Sequence, residues 1–251
     1  MEKVEIRQII NKIVNNTEEL VKQIKKNNSP YLNSTIEAFP EELLSSPFVI
    51  REKWENNKTV DVFEIVGIAH PDYVGLTWID MLKEGERMKT VNLPLLEKNP
   101  EYYLENDPKS PAIEYTKIND EIYISGDGYH RTSIAKVLLY FLGQIQFSGV
   151  KCREIDVDLR LKKFVDHAKD LIAKKKLPLV IEVKKQHVKR KDGSGWSEDF
   201  FTQEIEVINI KKLRRIYLNS IDEVMLFIDE VNHYNLLRKF FRCGRFLKKI
   251  L

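Results

Sequence analysis

No stretch of the 251 residues approaches the roughly 18 consecutive apolar side chains that a bilayer-spanning helix needs, so no membrane span is expected. Cysteine is scarce. Cys152 and Cys243 are the only two, far apart and without metal-ligand spacing, so no disulfide framework and no cysteine-rich zinc centre is expected. Cys152 lies in an alternating apolar stretch and reads as a core residue. His167, His187 and His233 have no partners at ligand spacing either. The chain has no Gly-x-x-x-x-Gly-Lys-[Ser/Thr] loop, which argues against a standard P-loop nucleoside triphosphatase. Internal repeats and low-complexity segments are absent. A net charge of +3 is too small to imply nucleic acid on its own. Residues 1–11 are charged and amphipathic with no signal-peptide apolar run, and a cytoplasmic location is expected.

What the chain does have is an ordinary globular composition, 43% apolar and 31% charged, at a length that can bury a real core. One segment stands apart. Residues 122–136 run from an alternating apolar strand through Ser125-Gly126-Asp127-Gly128-Tyr129-His130-Arg131-Thr132-Ser133 into an apolar-periodic helix that ends at Gly143. A strand-to-helix turn of this kind aims unpaired N–H groups and the positive end of the helix dipole at one spot, which suits an anion. Gly126 and Gly128 allow close backbone approach and positive φ. Arg131 can meet a phosphate through two N–H groups, and Thr132 and Ser133 add hydroxyl donors. The same letters also describe a common Gly-Asp-Gly turn followed by a surface His-Arg pair.

Residues 111–120 followed by Glu121 to Lys136 resemble the core of the ParB/sulfiredoxin superfamily. There, a proline-initiated strand, a short turn and a second strand lead through an Asp-Gly-x-His-Arg box into a helix with small residues. Asp127-Gly128-Tyr129-His130-Arg131 matches that box, with Ala135 at the small helix position. The resemblance spans roughly residues 60–158 and is sharp over 111–143. It implies an α+β core, a small mixed sheet with helices; periodicity adds N-terminal helices (1–59) before it and a C-terminal α/β extension (159–251) after it. It also implies nucleotide binding, ATP or CTP with Mg²⁺, with the phosphates held at the turn by residues 126 and 128–133. Hydrolysis or transfer of a phosphoryl group would follow, with Asp127 on the metal and Asp127 and His130 as catalytic candidates; Glu64 is a candidate base by position alone. Two departures narrow this. Tyr129 stands where sulfiredoxins carry their cysteine, which argues against sulfinic-acid reduction. No helix-turn-helix follows the core, as it does in chromosome-partitioning members.

The remaining organisation is read from periodicity. Residues 4–26 have helical spacing, 35–45 give a short second helix, and 60–69 read as one buried strand. His70 follows at the strand end, able to approach the same cleft, and Asp72 is a further candidate base by position. A helix is expected around 78–83. Prolines 94, 100 and 108 predict short helical turns over one face of the site. Residues 159–176 read as an amphipathic helix, and 178–188 and 200–208 as strands joined by a basic hairpin tip at Lys189, Arg190 and Lys191. Ser220 to His233 is expected to be helical, with Ser220 as N-cap and Glu223 completing a capping box. The run 236–251 carries Arg238, Lys239, Arg242, Arg245, Lys248 and Lys249 without an acid. It reads either as a docked terminal helix or, with the hairpin tip, as a nucleic-acid footprint. The second reading makes the chain a DNA-associated module of a plasmid, phage or defence system, with DNA-binding or nuclease activity. The sequence leaves the oligomeric state open.

Overall fold

The structure is a computed structural model that describes residues 3–234 and 244–251. The chain forms two compact units. The first gathers the chain up to Glu41 with Lys53–Ile155 and Asp192–Glu198; the second gathers Glu42–Glu52, Asp156–Lys191 and the chain from Asp199 on. The architecture is mixed α+β, as the sequence implies.

The first unit opens with α1 (Lys3–Asn15) and α2 (Thr17–Asn27), and α3 (Met81–Glu84) falls where a helix is expected around 78–83. The single periodic run expected at 4–26 is therefore interrupted. Asn16 leaves helical geometry at φ −126° and ψ 32°, and the Thr17 hydroxyl donates to the Ile13 carbonyl at 2.7 Å. Both helices keep one apolar stripe, and Ile13 and Leu20 are fully buried. The unit's strands are β1 (Glu37–Ala38), β2 (Val49–Asp61), β3 (Ile65–Ile68), β4 (Glu114–Ile118), β5 (Glu121–Ile124) and β6 (Gln146–Val157), in spatial order β1-β3-β5-β4-β6-β2. β2 and β6 each contribute residues to both units.

Two expectations are corrected here. Residues 35–45 form no α-helix. Glu37–Ala38 adds a parallel edge to β3, and only a 3-10 turn, Glu41–Leu43, follows. That pairing depends on Gly67, because a Cβ there would sit 2.4 Å from the Glu37 carbonyl oxygen. The expected strand 60–69 is two strands parted by a 3-10 turn, Val62–Glu64, whose first free amide, Phe63 N–H, is capped by Asp61 Oδ1 at 2.8 Å.

The core of this unit centres on α6 (Tyr129–Leu142). Ile134, Val137, Leu138 and Leu139 have no exposed surface, and buried side chains occur all round the helix. Such a helix lies inside the unit and not on its surface. Gly143 ends it in the left-handed conformation at φ 63°. Lys136 is buried with this apolar set. Its ammonium donates to the Ile65 carbonyl at 2.9 Å and stands 4.4 Å from the centre of the Trp78 ring. Burial pulls its pKa down to about 7. Cys152 is buried, as expected of a core residue.

In the second unit the strand order is β2, β8 (Trp196–Asn209), β7 (Leu179–Gly193), with β9 (Arg214–Leu218) antiparallel to β8. Two helices, α7 (Leu159–Lys174) and α8 (Ile221–Asn232), pack together, and Val165, Ala168, Phe227 and Val231 on them are fully buried. Asp158 caps α7 by accepting from the Leu161 N–H at 2.7 Å. Ser220 caps α8, as the capping-box pattern predicts, accepting from the Glu223 N–H at 3.2 Å. The Glu223 carboxylate reaches one residue further back than in the usual box, to the Asn219 N–H at 2.8 Å. Among the described residues no helix is long and apolar enough to cross a membrane.

Candidate functional site

The site follows from strand direction. β3 and β5 are parallel, with Ile65 opposite Ile122 and Ile68 opposite Ile124, so their carboxyl ends finish at the same edge of the sheet. The Ala69 N–H donates to the Ile124 carbonyl at 2.9 Å and ties the two exits together. β4 is antiparallel to β5 and begins at that edge, with Tyr115 opposite Ile124. Three loops therefore converge there: 69–75 after β3, 110–113 before β4 and 125–128 after β5. Ligands in open α/β sheets commonly bind outside strand carboxyl ends.

The loop after β5 becomes α6 at once, so the expected strand–turn–helix is present. Gly128 is the helix N-cap at φ 121°, and a Cβ there would lie 2.8 Å from Ile113 Cγ2, so both backbone and packing require glycine. Gly126 has no such positive φ, and a Cβ there would meet chiefly the movable Glu114 carboxylate, which corrects its expected conformational role. No side chain caps α6, and the first N–H to find a carbonyl is that of Thr132, 2.8 Å from Gly128 O. The amides of Tyr129, His130 and Arg131 are the helix's open donors.

Beside this turn lies a cavity of about 330 Å³. Asp127, His130 and Arg131 form its floor. Its opposite wall comes from the short turns expected of the proline-rich stretch: a π-turn at Met88–Asn92, α4 (Leu93–Lys98) and α5 (Glu101–Leu104). Arg87, Val91, Asn92, Leu95, Asn99 and Tyr102 face the space from that side. Val91 and Leu95 are among the exposed large apolar residues of the chain, 43% and 52% exposed. The cavity thus brings together charged side chains (Arg87, Asp127, Arg131), apolar ones (Val91, Leu95) and side-chain amides (Asn92, Asn99).

Arg131 is held on four sides. Its Nη1 donates to the Tyr102 hydroxyl at 2.7 Å and to the Pro111 carbonyl at 2.6 Å. Its Nη2 donates to the Ala112 carbonyl at 3.1 Å and pairs with Asp127 Oδ2 at 2.8 Å. The guanidinium also lies 5.7 Å from the centre of the Tyr102 ring, and only 11% of the side chain is exposed.

His130 packs into an aromatic cluster. Its Nε2 is 3.2 Å from the Tyr73 hydroxyl, which also accepts from the Glu86 N–H at 3.5 Å. His70 joins the same cluster, its ring 4.9 Å from Tyr73 and 5.5 Å from Tyr129. His70 Nδ1 is buried and, among the described residues, has no hydrogen-bond partner; Asp72 Oδ2 stands 3.8 Å away. Burial foremost, then the charges of His70 and Arg87, hold His130 below its ordinary pKa, so its imidazole is neutral at neutral pH. Gly85 makes room for this ring, since a Cβ there would lie 2.7 Å from His130 Cδ2.

Several expected site residues lie elsewhere. Thr132 and Ser133 are fully buried. The Thr132 hydroxyl bonds the Tyr115 hydroxyl at 2.8 Å and that of Ser133 donates to the Trp78 carbonyl at 2.9 Å, so both face the interior instead of the cavity. Glu64 precedes β3 and so sits at the strand's amino end, away from the edge that carries the box. Lys189, Arg190 and Lys191 belong to β7, which continues to Gly193, and do not form the hairpin tip. Lys189 and Lys191 stand over the Phe200 ring at 4.6 and 5.1 Å, and Arg190 pairs with Asp199 at 3.3 Å. Arg245 pairs with Glu223 at 3.3 Å, while Arg238 and Arg242 lie outside the described residues. Among the described residues no three His, Cys, Asp or Glu side chains gather to hold a metal. Asp127 is the carboxylate on the cavity, with one oxygen already taken by Arg131. Such a set does not make a resident Mg²⁺ site.

Arg87, Asn92 and Asn99 were not legible as site residues. They follow no spacing rule and reach the cavity only because the π-turn and α4 fold over the box.

The chain matches no protein-family profile, no curated protein and no solved structure.

Proposed function

We propose that this cavity binds a nucleotide, with its phosphates against the open amides of Tyr129, His130 and Arg131 and its base along Val91, Leu95 and Tyr102. The observation that carries the reading is that His130 and Arg131, from the uncapped start of α6, line a cavity of about 330 Å³ together with Arg87, Asp127 and the apolar Val91 and Leu95. A volume in the range of roughly 300–1,000 Å³ is usual for small-molecule sites. The resemblance of residues 111–143 to the ParB/sulfiredoxin superfamily supports it, because nucleotide binding is what those members share most broadly. The dipole and free N–H groups of α6 favour phosphate. Neutral His130 supplies a hydrogen-bonding group that can accept a proton beside it. Were Mg²⁺ carried in by the phosphates, the Asp127 oxygen not paired to Arg131 would be the protein oxygen to meet it. ATP or CTP as the nucleotide, and phosphoryl transfer or hydrolysis as the chemistry, are what the resemblance implies.

Titration calorimetry with ATP, CTP and GTP, with and without Mg²⁺, tests the reading. Saturable binding of ATP or CTP, strengthened by Mg²⁺, is the expected result. No heat with any of the three removes the proposal. Phosphate release from the bound nucleotide on incubation checks the chemistry separately.

A further inference from the structure

Arg131 is the box arginine, yet four of its five N–H groups are already engaged by Tyr102, Pro111, Ala112 and Asp127. Withdrawing them to reach a ligand would uncouple the loop before β4 from the turn after β5. Arg87 is in the opposite situation. Its side chain is exposed and lines the cavity, and it makes no ion pair among the described residues. Its backbone is firmly placed, since the Arg87 carbonyl accepts from the Val91 and Asn92 N–H groups at 3.1 Å each and from the Asn92 side-chain amide at 3.0 Å. Those bonds form the π-turn, a rare local geometry often met at functional positions. Arg87 lines the same cavity as His130, Asp127 and Arg131.

We propose that Arg87, and not Arg131, supplies the guanidinium that contacts the anionic group of the ligand, while Arg131 acts as a positioning residue that holds the two loops forming the floor. The proposal rests on the nucleotide-binding reading above and assigns the charged contact within it. The free fork of Arg87 matches a phosphate through two parallel N–H groups. Val91 and Asn92, carried by the same π-turn, put an apolar surface and an amide next to that contact. The ligand class is therefore a phosphate ester with a ring system, and the phosphate-free nucleoside should depend little on Arg87.

The test uses the full chain, ATP and CTP with Mg²⁺, and the nucleosides adenosine and cytidine. Arg87→Gln and Arg87→Ala are each expected to weaken nucleotide binding by about tenfold or more, the usual loss for a hydrogen bond to a charged group, with nucleoside binding and melting temperature unchanged. Arg131→Gln is expected to lower the melting temperature. Wild-type affinity in both Arg87 variants overturns the proposal while leaving the nucleotide site standing. Equal losses for nucleotide and nucleoside also overturn it, because they place Arg87 away from the phosphate. Absence of binding in the wild type overturns the nucleotide reading, and the proposal with it.

Discussion

Lys136 stands in the first unit's core with one carbonyl acceptor, the Trp78 and Phe63 rings nearby and, among the described residues, Asp61 as the one opposing charge that acts on it. Its pKa falls from the ordinary 10.5 to about 7, so between these values the unfolded chain carries a proton that the folded chain lacks. Stability from this group therefore rises with pH across that window, at about 1.4 kcal/mol per pH unit, and its cost is complete below pH 7. Lys136→Met should flatten that rise. At pH 7 it removes the cost of the buried amine but leaves the Ile65 carbonyl without a donor, which costs about 1–3 kcal/mol. Denaturant midpoints of both proteins from pH 6 to 10 check this. Equal slopes would mean that the lysine is solvated or paired in the folded protein. The same interior explains Thr132 and Ser133: once α6 is surrounded, hydroxyls one turn from its start must find partners within the fold.

At the scale of elements, the helix starts follow local chemistry and can be tested locally. Ser220 satisfies one of the amides left open at the start of α8, and Glu223 satisfies the Asn219 N–H just before it. Ser220→Ala should cost about 1 kcal/mol, measured by thermal or chemical unfolding, with no effect on ligand binding. A loss well under half of that would show that water replaces the hydroxyl at this exposed cap. α6 differs in that Gly128 offers no side chain, and its first amides stay open beside the cavity. An uncapped helix start leaves N–H groups and the positive end of the dipole available to an anion, which capped starts such as those of α7 and α8 offer less. The capping signals at 220 and 223 were readable in the sequence because they act within four residues. β1 was not, because two residues become a strand only when β3 lies beside them.

For the whole molecule, the division into two units separates stability from the site. Every residue lining the cavity belongs to the first unit, whereas Phe227 is fully buried in the second, with its ring 6.5 Å from that of Phe246. Phe227→Ala should cost about 3–5 kcal/mol through lost burial and the hole it leaves. Nucleotide affinity, measured below the lowered melting temperature, should stay at the wild-type value. A parallel loss of affinity would show that the first unit depends on the second for its folded site.

The α+β class, the strand–turn–helix at 122–143, the helices α7 and α8 and the strands β7 and β8 were all legible in the chain. Each is set by apolar periodicity, a cap or a glycine acting over a few residues. The break at Asn16 and the 3-10 turn at Val62–Glu64 interrupt runs whose apolar spacing continues across them, so periodicity overran both. Most of β2 was invisible for a related reason: its residues are largely polar and half-exposed, and it becomes a strand through its sheet neighbours. The box letters marked where a site could be, because Gly128 and the start of α6 are local features. Only the tertiary structure decided which of its side chains face the cavity. Burial turned Thr132 and Ser133 inward, strand direction carried Glu64 to the other end of β3, and the fold of residues 86–104 brought Arg87 over the box. These outcomes depend on contacts between residues tens of positions apart, which periodicity and spacing do not encode.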